Sequence, residues 1–192
     1  MMKLVLGSGS PRRREILEAI GIAHEVMVAQ VDESPEPGEA PPRYLERIAQ
    51  AKFDAVAAKL DNDSYILVAD TSVIIDSDIL GKPASDDEAI AMLKRLAGRS
   101  HEVSTRFVLG RGVEALHAET VRTEVHFRAL EAAEITAYVR TGEGRDKAGS
   151  YAIQGRAAAF VDWIRGSYSG VVGLPAAEVC LAWQRLMRDA AN

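Results

Sequence analysis

The chain has 192 residues, of which 47% are hydrophobic, so it can bury a core in one domain or slightly more, which argues against disorder. With 23 Lys+Arg against 28 Asp+Glu, the net charge of −5 argues against a general nucleic-acid-binding protein, and any polyanion site must be a local basic cluster. The only cysteine, Cys180, has no intrachain partner for a disulfide, and with 4 His in the chain we expect no four-ligand zinc site around it.

The apolar start of the chain, residues 1–6, is too short for the hydrophobic region of a signal peptide. No other apolar run approaches the roughly 20 residues that a membrane span needs. We therefore expect a soluble, cytoplasmic protein with no membrane partner.

The first half of the chain alternates short β-rich runs with helical patterns, which favours an α/β class. Ser10-Pro11 is typical of a helix start, and Gly21 ends that helix. After an exposed loop rich in Pro and Glu at 34–42, apolar residues spaced from Tyr44 to Ala58 predict a second helix. The predicted strands are 4–6, 24–28, 65–69, 73–75 and 79–80, with a turn at 76–78 that makes a hairpin.

In the second half, Ser85 to Glu88 form a capping box that begins a helix through Leu96. Alternation predicts two antiparallel strands at 102–109 and 121–127. A helix around 135–139, a charged glycine-rich loop at 142–149, a strand at 160–164 and a helix at 175–187 follow. No repeat or linker interrupts the pattern, so we expect one compact domain over residues 1–192 that could divide into two lobes.

Three arginines stand where a helix dipole disfavours them. Arg12, Arg13 and Arg14 lie beside the positive end of the first predicted helix, where each costs about 0.3–1 kcal/mol at low salt. A bound anion would offset that cost, and the preceding turn of Gly7 to Ser10 offers N–H groups and hydroxyls to a phosphate. The alternative is that the arginines extend into solvent or pair with surface acids.

Asp70 stands between two apolar strand segments. A carboxylate there is costly to bury without a metal, a cation or hydrogen bonds, and the end of an apolar strand is where α/β folds present catalytic groups. The alternative is an Asx-type turn that closes the strand.

Four further polar residues each have a functional and a structural interpretation. Glu33 belongs to an acidic pair that could be solvated surface, and Lys52 and Lys82 could be surface lysines. Gln154 could read a base edge with its amide or satisfy a backbone group. Taken together, arginines for phosphates, carboxylates for a divalent metal, lysines for transition-state charge and an amide for a base indicate nucleotide phosphoryl chemistry.

A series of short motifs runs in order along nearly the whole chain. They are Ser8-Gly9-Ser10-Pro11-Arg12-Arg13, Asp32-Glu33, Ala51-Lys52, Ala69-Asp70-Thr71, Leu80-Gly81-Lys82-Pro83, Asp146-Lys147-Ala148-Gly149, Tyr151-Ala152-Ile153-Gln154-Gly155, Gly166-Ser167-Tyr168 and Val171-Val172-Gly173-Leu174-Pro175. Together they resemble the Maf family of nucleoside triphosphate pyrophosphatases, and the ordered set is far more specific than any single motif.

The resemblance implies a mixed α/β fold, with a partly antiparallel sheet flanked by helices and two lobes around a central cleft. That fold is related to the inosine triphosphatase-like pyrophosphatases and is usually a homodimer. It also implies hydrolysis of a nucleoside triphosphate to the monophosphate and diphosphate, a house-cleaning reaction, with Mg²⁺ or Mn²⁺ as cofactor. The form Ile153-Gln154-Gly155 resembles the branch that takes dTTP and UTP.

Site roles are carried over by matched position. Asp70 matches the proton acceptor, and we expect Lys52 and Lys82 to act beside it in catalysis by neutralising charge as diphosphate leaves. We expect Glu33 and Asp70 to hold the metal. The residues expected to bind substrate are Ser8, Ser10, Arg12, Arg13, Thr71 and Gln154.

The chain departs from the family pattern at a few positions. Arg106 stands where a small residue usually follows threonine, and it is expected to change the cleft wall or a partner surface. Val68 and Ser72 replace a common glycine and an apolar residue. The rival hypothesis is a nucleotide-sensing regulatory binder, because the family has been described as inhibiting septum formation during cell division.

Overall fold

The computed structural model describes residues 4–28 and 30–190. The strands within these residues are β1 (Leu4–Leu6), β2 (His24–Val26), β3 (Tyr65–Ile75), β4 (Asp78–Leu80), β5 (Ser100–Arg111), β6 (Glu114–Phe127) and β7 (Val161–Arg165). The α-helices are α1 (Pro11–Ala19), α2 (Pro41–Ala57), α3 (Asp86–Leu96), α4 (Ala132–Arg140), α5 (Tyr168–Val172) and α6 (Ala176–Asp189). No helix in these residues is long and apolar enough to cross a membrane.

The strands form one mixed sheet in the order β2-β1-β3-β5-β6-β7, with β4 paired to β3. β1 runs parallel to both β2 and β3, so that Leu4 lies opposite His24 on one side and Tyr65 on the other. β4 is antiparallel to β3, and β7 is antiparallel to β6. β5 and β6 are neighbours joined by two residues, which only an antiparallel hairpin allows. The predicted fold class, a mixed and partly antiparallel sheet with helices, is confirmed.

Contacts divide the chain into two compact units. Unit 1 consists of the described residues up to Asp70, Thr105–Val121 and those from Gly173 onward. Unit 2 consists of Thr71–Ser104 and Arg122–Val172. The expectation of a single domain over residues 1–192 stays a prediction.

The core of unit 1 explains where Asp70 points. On β3, Leu67 and Ala69 belong to a buried cluster shared with α1 and α6. Ile66 and Val68 belong to a second buried cluster, shared with α2. Side chains of a strand alternate between its two faces, so Asp70 continues the second series and faces α2.

Unit 2 is held together by α3 packed against α4 and by a group of aromatic rings. The Phe127 ring makes edge contacts with His101, Tyr151 and Phe160 at centroid distances of 5.0, 4.8 and 6.0 Å. Tyr138 of α4 contacts Phe160 at 5.2 Å. These rings anchor the segment that begins at Tyr151.

Local signals for turns and caps are confirmed. The Ser85 hydroxyl accepts a hydrogen bond from the Glu88 N–H at 3.2 Å, which is one half of the predicted capping box, whereas the Glu88 carboxylate accepts from the Ala84 N–H instead of that of Ser85. Asp76 and Ser77 have positive φ angles of 54° and 68°, the backbone of a tight hairpin turn. The predicted helices are present; α3 begins after Ser85 and ends at Leu96 as predicted, and the others differ from the predicted boundaries by a few residues at most.

The predicted break after Ala69 is wrong, and so is the Asx turn offered as the alternative for Asp70. β3 continues without interruption from Tyr65 to Ile75, so Asp70 lies inside the strand instead of at its end. The buried Lys52 ammonium of α2 pairs with the Asp70 carboxylate. This pairing compensates for the burial of the carboxylate, so the strand can continue through Asp70. Cys180 on α6 is half-buried.

Candidate active site

Three charged side chains of unit 1 meet at one point. The Lys52 ammonium lies 2.6 Å from Asp70 Oδ1 and 2.7 Å from Glu33 Oε1. The Lys52 and Asp70 side chains are 11% and 9% exposed, whereas that of Glu33 is 43% exposed. Desolvating two charges is costly, and only close pairing of this kind compensates for it. The prediction that a cation or hydrogen bonds must accompany Asp70 is therefore confirmed.

Secondary structure explains this meeting. Lys52 is buried on the face of α2 that also carries Ala49, Phe53 and Val56 in the core. Asp70 faces the same helix from β3. The surface-lysine interpretation of Lys52 is therefore wrong.

The two acids at 32 and 33 have different partners. The Asp32 carboxylate accepts a hydrogen bond from the Ser34 N–H at 2.9 Å, which closes a local turn. Hydrogen bonding to the Ser34 side chain, and then to its N–H, lowers the pKa of Asp32. Glu33 instead reaches Lys52. Only the second residue of the pair joins the cluster.

Two residues of α2 that the sequence did not single out hold the loop that carries Glu33. The Tyr44 hydroxyl donates to the Glu33 carbonyl at 3.0 Å. Arg47 donates to Glu39 Oε1 and Oε2 at 2.7 and 2.6 Å and to the Ser34 carbonyl at 3.0 Å. The sequence offered one signal for Tyr44, namely its helical spacing from Lys52. The two residues are two four-residue steps apart and therefore lie on the same side of α2.

The hydroxyl of Tyr44 keeps its proton in this setting. Burial raises its pKa, and the negative charges of Asp70 and Glu33 add to that effect. A protonated hydroxyl remains a donor, so it can fix the Glu33 backbone at neutral pH.

The turn between β1 and α1 packs tightly against the sheet. A Cβ on Gly7 would come within 2.6 Å of a Val68 methyl and 2.8 Å of a Val56 methyl, so this close approach requires glycine. Ser8 is buried, and its Oγ accepts hydrogen bonds from the Ser10 N–H at 3.3 Å and from Arg13 Nη1 at 2.9 Å. The Ser8 side chain thus ties the turn to the helix.

The three arginines have different surroundings. Arg13 also donates through Nε to the Gly173 carbonyl at 2.8 Å, so it does not extend freely into solvent. Desolvation lowers the pKa of Arg13, and the nearby charges of Asp70 and Glu33 act in the opposite direction. Arg14 lies 3.8 Å from Glu18 on an exposed helix face, so surface pairing is confirmed for this residue. Arg12 is half-buried, and phosphate binding by Arg12 and Arg13 stays a prediction.

The donor set fits a hard divalent cation only in part. Nowhere in residues 4–28 and 30–190 do three or more His, Cys, Asp or Glu side chains group as metal ligands. Glu33 and Asp70 nevertheless supply two carboxylates around one point, and Mg²⁺ commonly uses one or two carboxylates with substrate phosphates and water. Lys52 now holds the position between them.

The other predicted site residues belong to unit 2. Thr71 follows Asp70 on β3 and is half-buried. Lys82 lies just after β4, Gln154 lies in a turn, and both are exposed. Their side chains are therefore accessible to a ligand, and their roles stay predictions.

Arg106, the departure from the family pattern, lies on β5 within unit 1. Its Nη1 donates to Thr120 Oγ1 at 2.9 Å and lies 3.7 Å from Glu46 Oε1. Its side chain is 19% exposed. It is therefore largely buried against its own unit.

The chain is similar to known proteins over nearly its whole length. A family model described as Maf-like protein matches residues 3–186. The chain is 48% identical over 186 residues to a protein of Anaeromyxobacter dehalogenans named dTTP/UTP pyrophosphatase. This alignment covers 95% of this chain and 93% of that protein. The chain is also 49% identical over 176 residues to a protein of the same name from Alcanivorax borkumensis. That alignment covers 91% of this chain and 90% of the relative.

The fold is also found in a solved structure. A HAM1 protein from Coxiella burnetii superimposes with a TM-score of 0.51 at 15% identity, over 96% of this chain and 100% of that chain. At that identity the likeness concerns the fold alone. From the match over nearly its whole length and the high identity to these relatives, the chain belongs to the family of Maf-like proteins.

Proposed function

We propose that this protein hydrolyses nucleoside triphosphates to the monophosphate and diphosphate, with dTTP and UTP as preferred substrates. The observation that carries the proposal is the buried pair of Asp70 and Lys52 with Glu33 and Arg13 close by. The names of the two relatives at 48% and 49% identity support the substrate class.

In the proposed mechanism, Arg12, Arg13 and the backbone of the turn after β1 bind the phosphates. Asp70 accepts the proton of the attacking water. Lys52 orients the Asp70 carboxylate through the 2.6 Å contact, and its expected role in neutralising charge as diphosphate leaves stays a prediction. Lys82 would then neutralise charge on the departing diphosphate, and Gln154 would read the base.

We also propose Mg²⁺ or Mn²⁺ as the cofactor, with Glu33 and Asp70 as its protein ligands. Bound there, the cation would polarise a phosphoryl oxygen. The Lys52 ammonium contacts both carboxylates, so it would have to move away from at least one of them before the cation could bind there.

The deciding experiment measures diphosphate release from dTTP, UTP, CTP, GTP and 7-methyl-GTP, with and without Mg²⁺ or Mn²⁺. We expect metal-dependent turnover led by dTTP and UTP. Faster turnover of a nucleotide with another base would overturn the proposed substrate preference, but the proposed reaction would stand. Stoichiometric nucleotide binding without diphosphate release would instead favour the nucleotide-sensing regulatory alternative.

For the assembly and setting we propose a cytoplasmic homodimer with no nucleic-acid partner. The net charge of −5 supports the last point, because the chain carries no general excess of cations for a polyanion. Sedimentation equilibrium tests the dimer, and a gel-shift titration with duplex DNA at low salt tests whether the protein binds nucleic acid.

A further inference from the structure

Gln154 is displayed on a segment of unit 2 that is fixed at several points. Tyr151, Ala152 and Ile153 before it and Ala157 after it are buried, whereas Gln154 itself is exposed. An exposed amide between buried anchors is the arrangement expected of a group held ready for a ligand.

Two of the anchors lie on the N-terminal side of Gln154. The Tyr151 hydroxyl is 2.8 Å from Nε2 of the buried His101. The Ala152 N–H donates to the Tyr138 hydroxyl at 3.1 Å. Both hydroxyls are buried, so these hydrogen bonds resist exchange with water.

The anchor on the C-terminal side is Glu143. Its Oε2 accepts a hydrogen bond from the Arg156 N–H at 3.1 Å, and its Oε1 accepts one from the Ala157 N–H at 3.4 Å. These N–H groups begin a short 3₁₀ helix, Arg156–Phe160, so the carboxylate satisfies donors that have no partner inside the helix. Glu143 is itself fixed after α4, because its N–H donates to Thr141 Oγ1 at 3.2 Å.

Gly155, which follows Gln154, leaves room for the Glu143 carboxylate because it has no side chain. A Cβ on Gly155 would lie 2.5 Å from Glu143 Oε1 and 2.6 Å from its Cδ. Any other residue at 155 would therefore push the carboxylate away. The Glu143 carboxylate therefore depends on glycine at position 155 for the space that it occupies.

We infer that Glu143 is a positioning residue for nucleotide selectivity, which fixes the backbone on the C-terminal side of the Gln154 amide through Arg156, Ala157 and the space left by Gly155. The inference rests on the proposed function. Fixing the segment in advance removes an ordering cost from binding, so the amide discriminates between bases more strongly than a mobile one could.

The first test needs no substrate. Amide hydrogen exchange of the segment around 154–157 is compared in the wild type, Glu143→Ala, Gly155→Ala and the control Asp162→Asn, an exposed acid on β7 of the same unit. We expect about tenfold faster exchange in Glu143→Ala and Gly155→Ala, because the anchor is lost, and no change in the control. Wild-type exchange in Glu143→Ala would overturn the inference.

The second test measures kcat and KM for dTTP and CTP in the same proteins and in Glu143→Gln. We expect the dTTP to CTP ratio of kcat/KM to fall about tenfold in Glu143→Ala through a higher KM for dTTP, with kcat within about threefold of wild type. Glu143→Gln keeps one acceptor and should recover part of the ratio. Equal losses for both nucleotides would indicate a merely structural role and overturn the inference.

The two tests separate this inference from the function on which it rests. A wild-type protein that releases no diphosphate from any nucleoside triphosphate overturns the proposed function, and the selectivity role falls with it. Normal wild-type turnover with an unchanged dTTP to CTP ratio in Glu143→Ala overturns the inference alone.

Discussion

Lys52 Nζ and Asp70 Oδ1 are 2.6 Å apart, although the two residues come from different elements, α2 and β3, and both are almost completely buried. Each lies beside buried apolar residues of its own element, and each makes the burial of the other tolerable. The contact holds the Asp70 carboxylate in one position beneath the surface, where its second oxygen can accept a hydrogen bond from a water or a ligand.

Asp70→Asn should remove most turnover and keep the fold. The amide preserves the shape of the side chain but cannot accept the proton of water, and loss of a general base lowers kcat by about 10²–10⁴-fold. Steady-state diphosphate release measures the effect. Asp54→Asn on the exposed side of α2 is the matched control and should retain wild-type turnover. Near wild-type kcat in Asp70→Asn would rule out Asp70 as the proton acceptor.

Lys52→Met should destabilise the protein, because it leaves the Asp70 carboxylate buried beside no ammonium. Breaking a buried pair in this way costs about 3 kcal/mol in the free energy of unfolding. In the double variant Lys52→Met with Asp70→Asn, the remaining charge is gone, so the loss should be smaller than the sum of the single losses. Urea unfolding at pH 7 gives the three values. Strict additivity would show that the two side chains do not interact.

The same Lys52→Met variant should bind Mn²⁺ more tightly than the wild type when no nucleotide is present. The ammonium lies between Glu33 and Asp70 at 2.7 and 2.6 Å, where it competes with a cation for the same oxygens. Titration followed by electron paramagnetic resonance counts free Mn²⁺, and we expect about a tenfold fall in Kd. Glu33→Gln in the same background should reverse the gain; equal Kd values for Lys52→Met and wild type would contradict the shared site.

Gln154→Ala should weaken the preference for dTTP and UTP over CTP and GTP. A site that hydrogen-bonds a substrate discriminates through that bond, and losing one neutral hydrogen bond changes selectivity by about tenfold. The ratio of kcat/KM values across the four nucleotides reports this effect. An exposed neighbour, Arg156→Ala, serves as control because its backbone N–H contact with Glu143 survives the substitution. An unchanged order of preference would show that Gln154 does not read the base.

The stability of the protein should fall on acidification through the titration of His101. Burial lowers the pKa of His101 to about 4, with a smaller contribution from His126, so the folded protein holds this ring neutral. The unfolded chain has an ordinary histidine pKa near 6.5 and therefore binds more protons between about pH 4 and 6.5. The free energy of unfolding then decreases as pH falls through that window, by at most about 1.4 kcal/mol per pH unit from this group.

Urea unfolding of wild type and His101→Gln at pH 7 and pH 5 tests this. Glutamine retains a hydrogen-bonding group for Tyr151 but does not titrate. The difference between the two proteins isolates His101 from carboxylates that titrate lower, such as Glu134 with a pKa of about 2. The same loss of stability in both proteins would assign the pH dependence elsewhere.

Sequence patterns alone predicted most of the secondary structure and singled out Glu33, Lys52 and Asp70, the three charged residues that the structure brings together. The capping box at Ser85 and the apolar spacing of α2 depend on neighbours within a few residues, so they act before any tertiary contact forms. The same patterns misplaced the end of a strand at Ala69, because a polar residue inside β3 signals a turn unless its partner is known.

Pairings between distant residues belong to the tertiary structure. Arg13 and the Gly173 carbonyl are 160 residues apart in sequence, and no local pattern specifies that contact. The support of Glu33 by Tyr44 and the fit of Glu143 against Gly155 likewise depend on how helices and loops pack. By itself the sequence determined the fold class, most elements and the family, because periodicity and ordered motifs are local. Only the tertiary structure decided which charges are buried together, because the free energy of burying a charge depends on the groups that surround it in space.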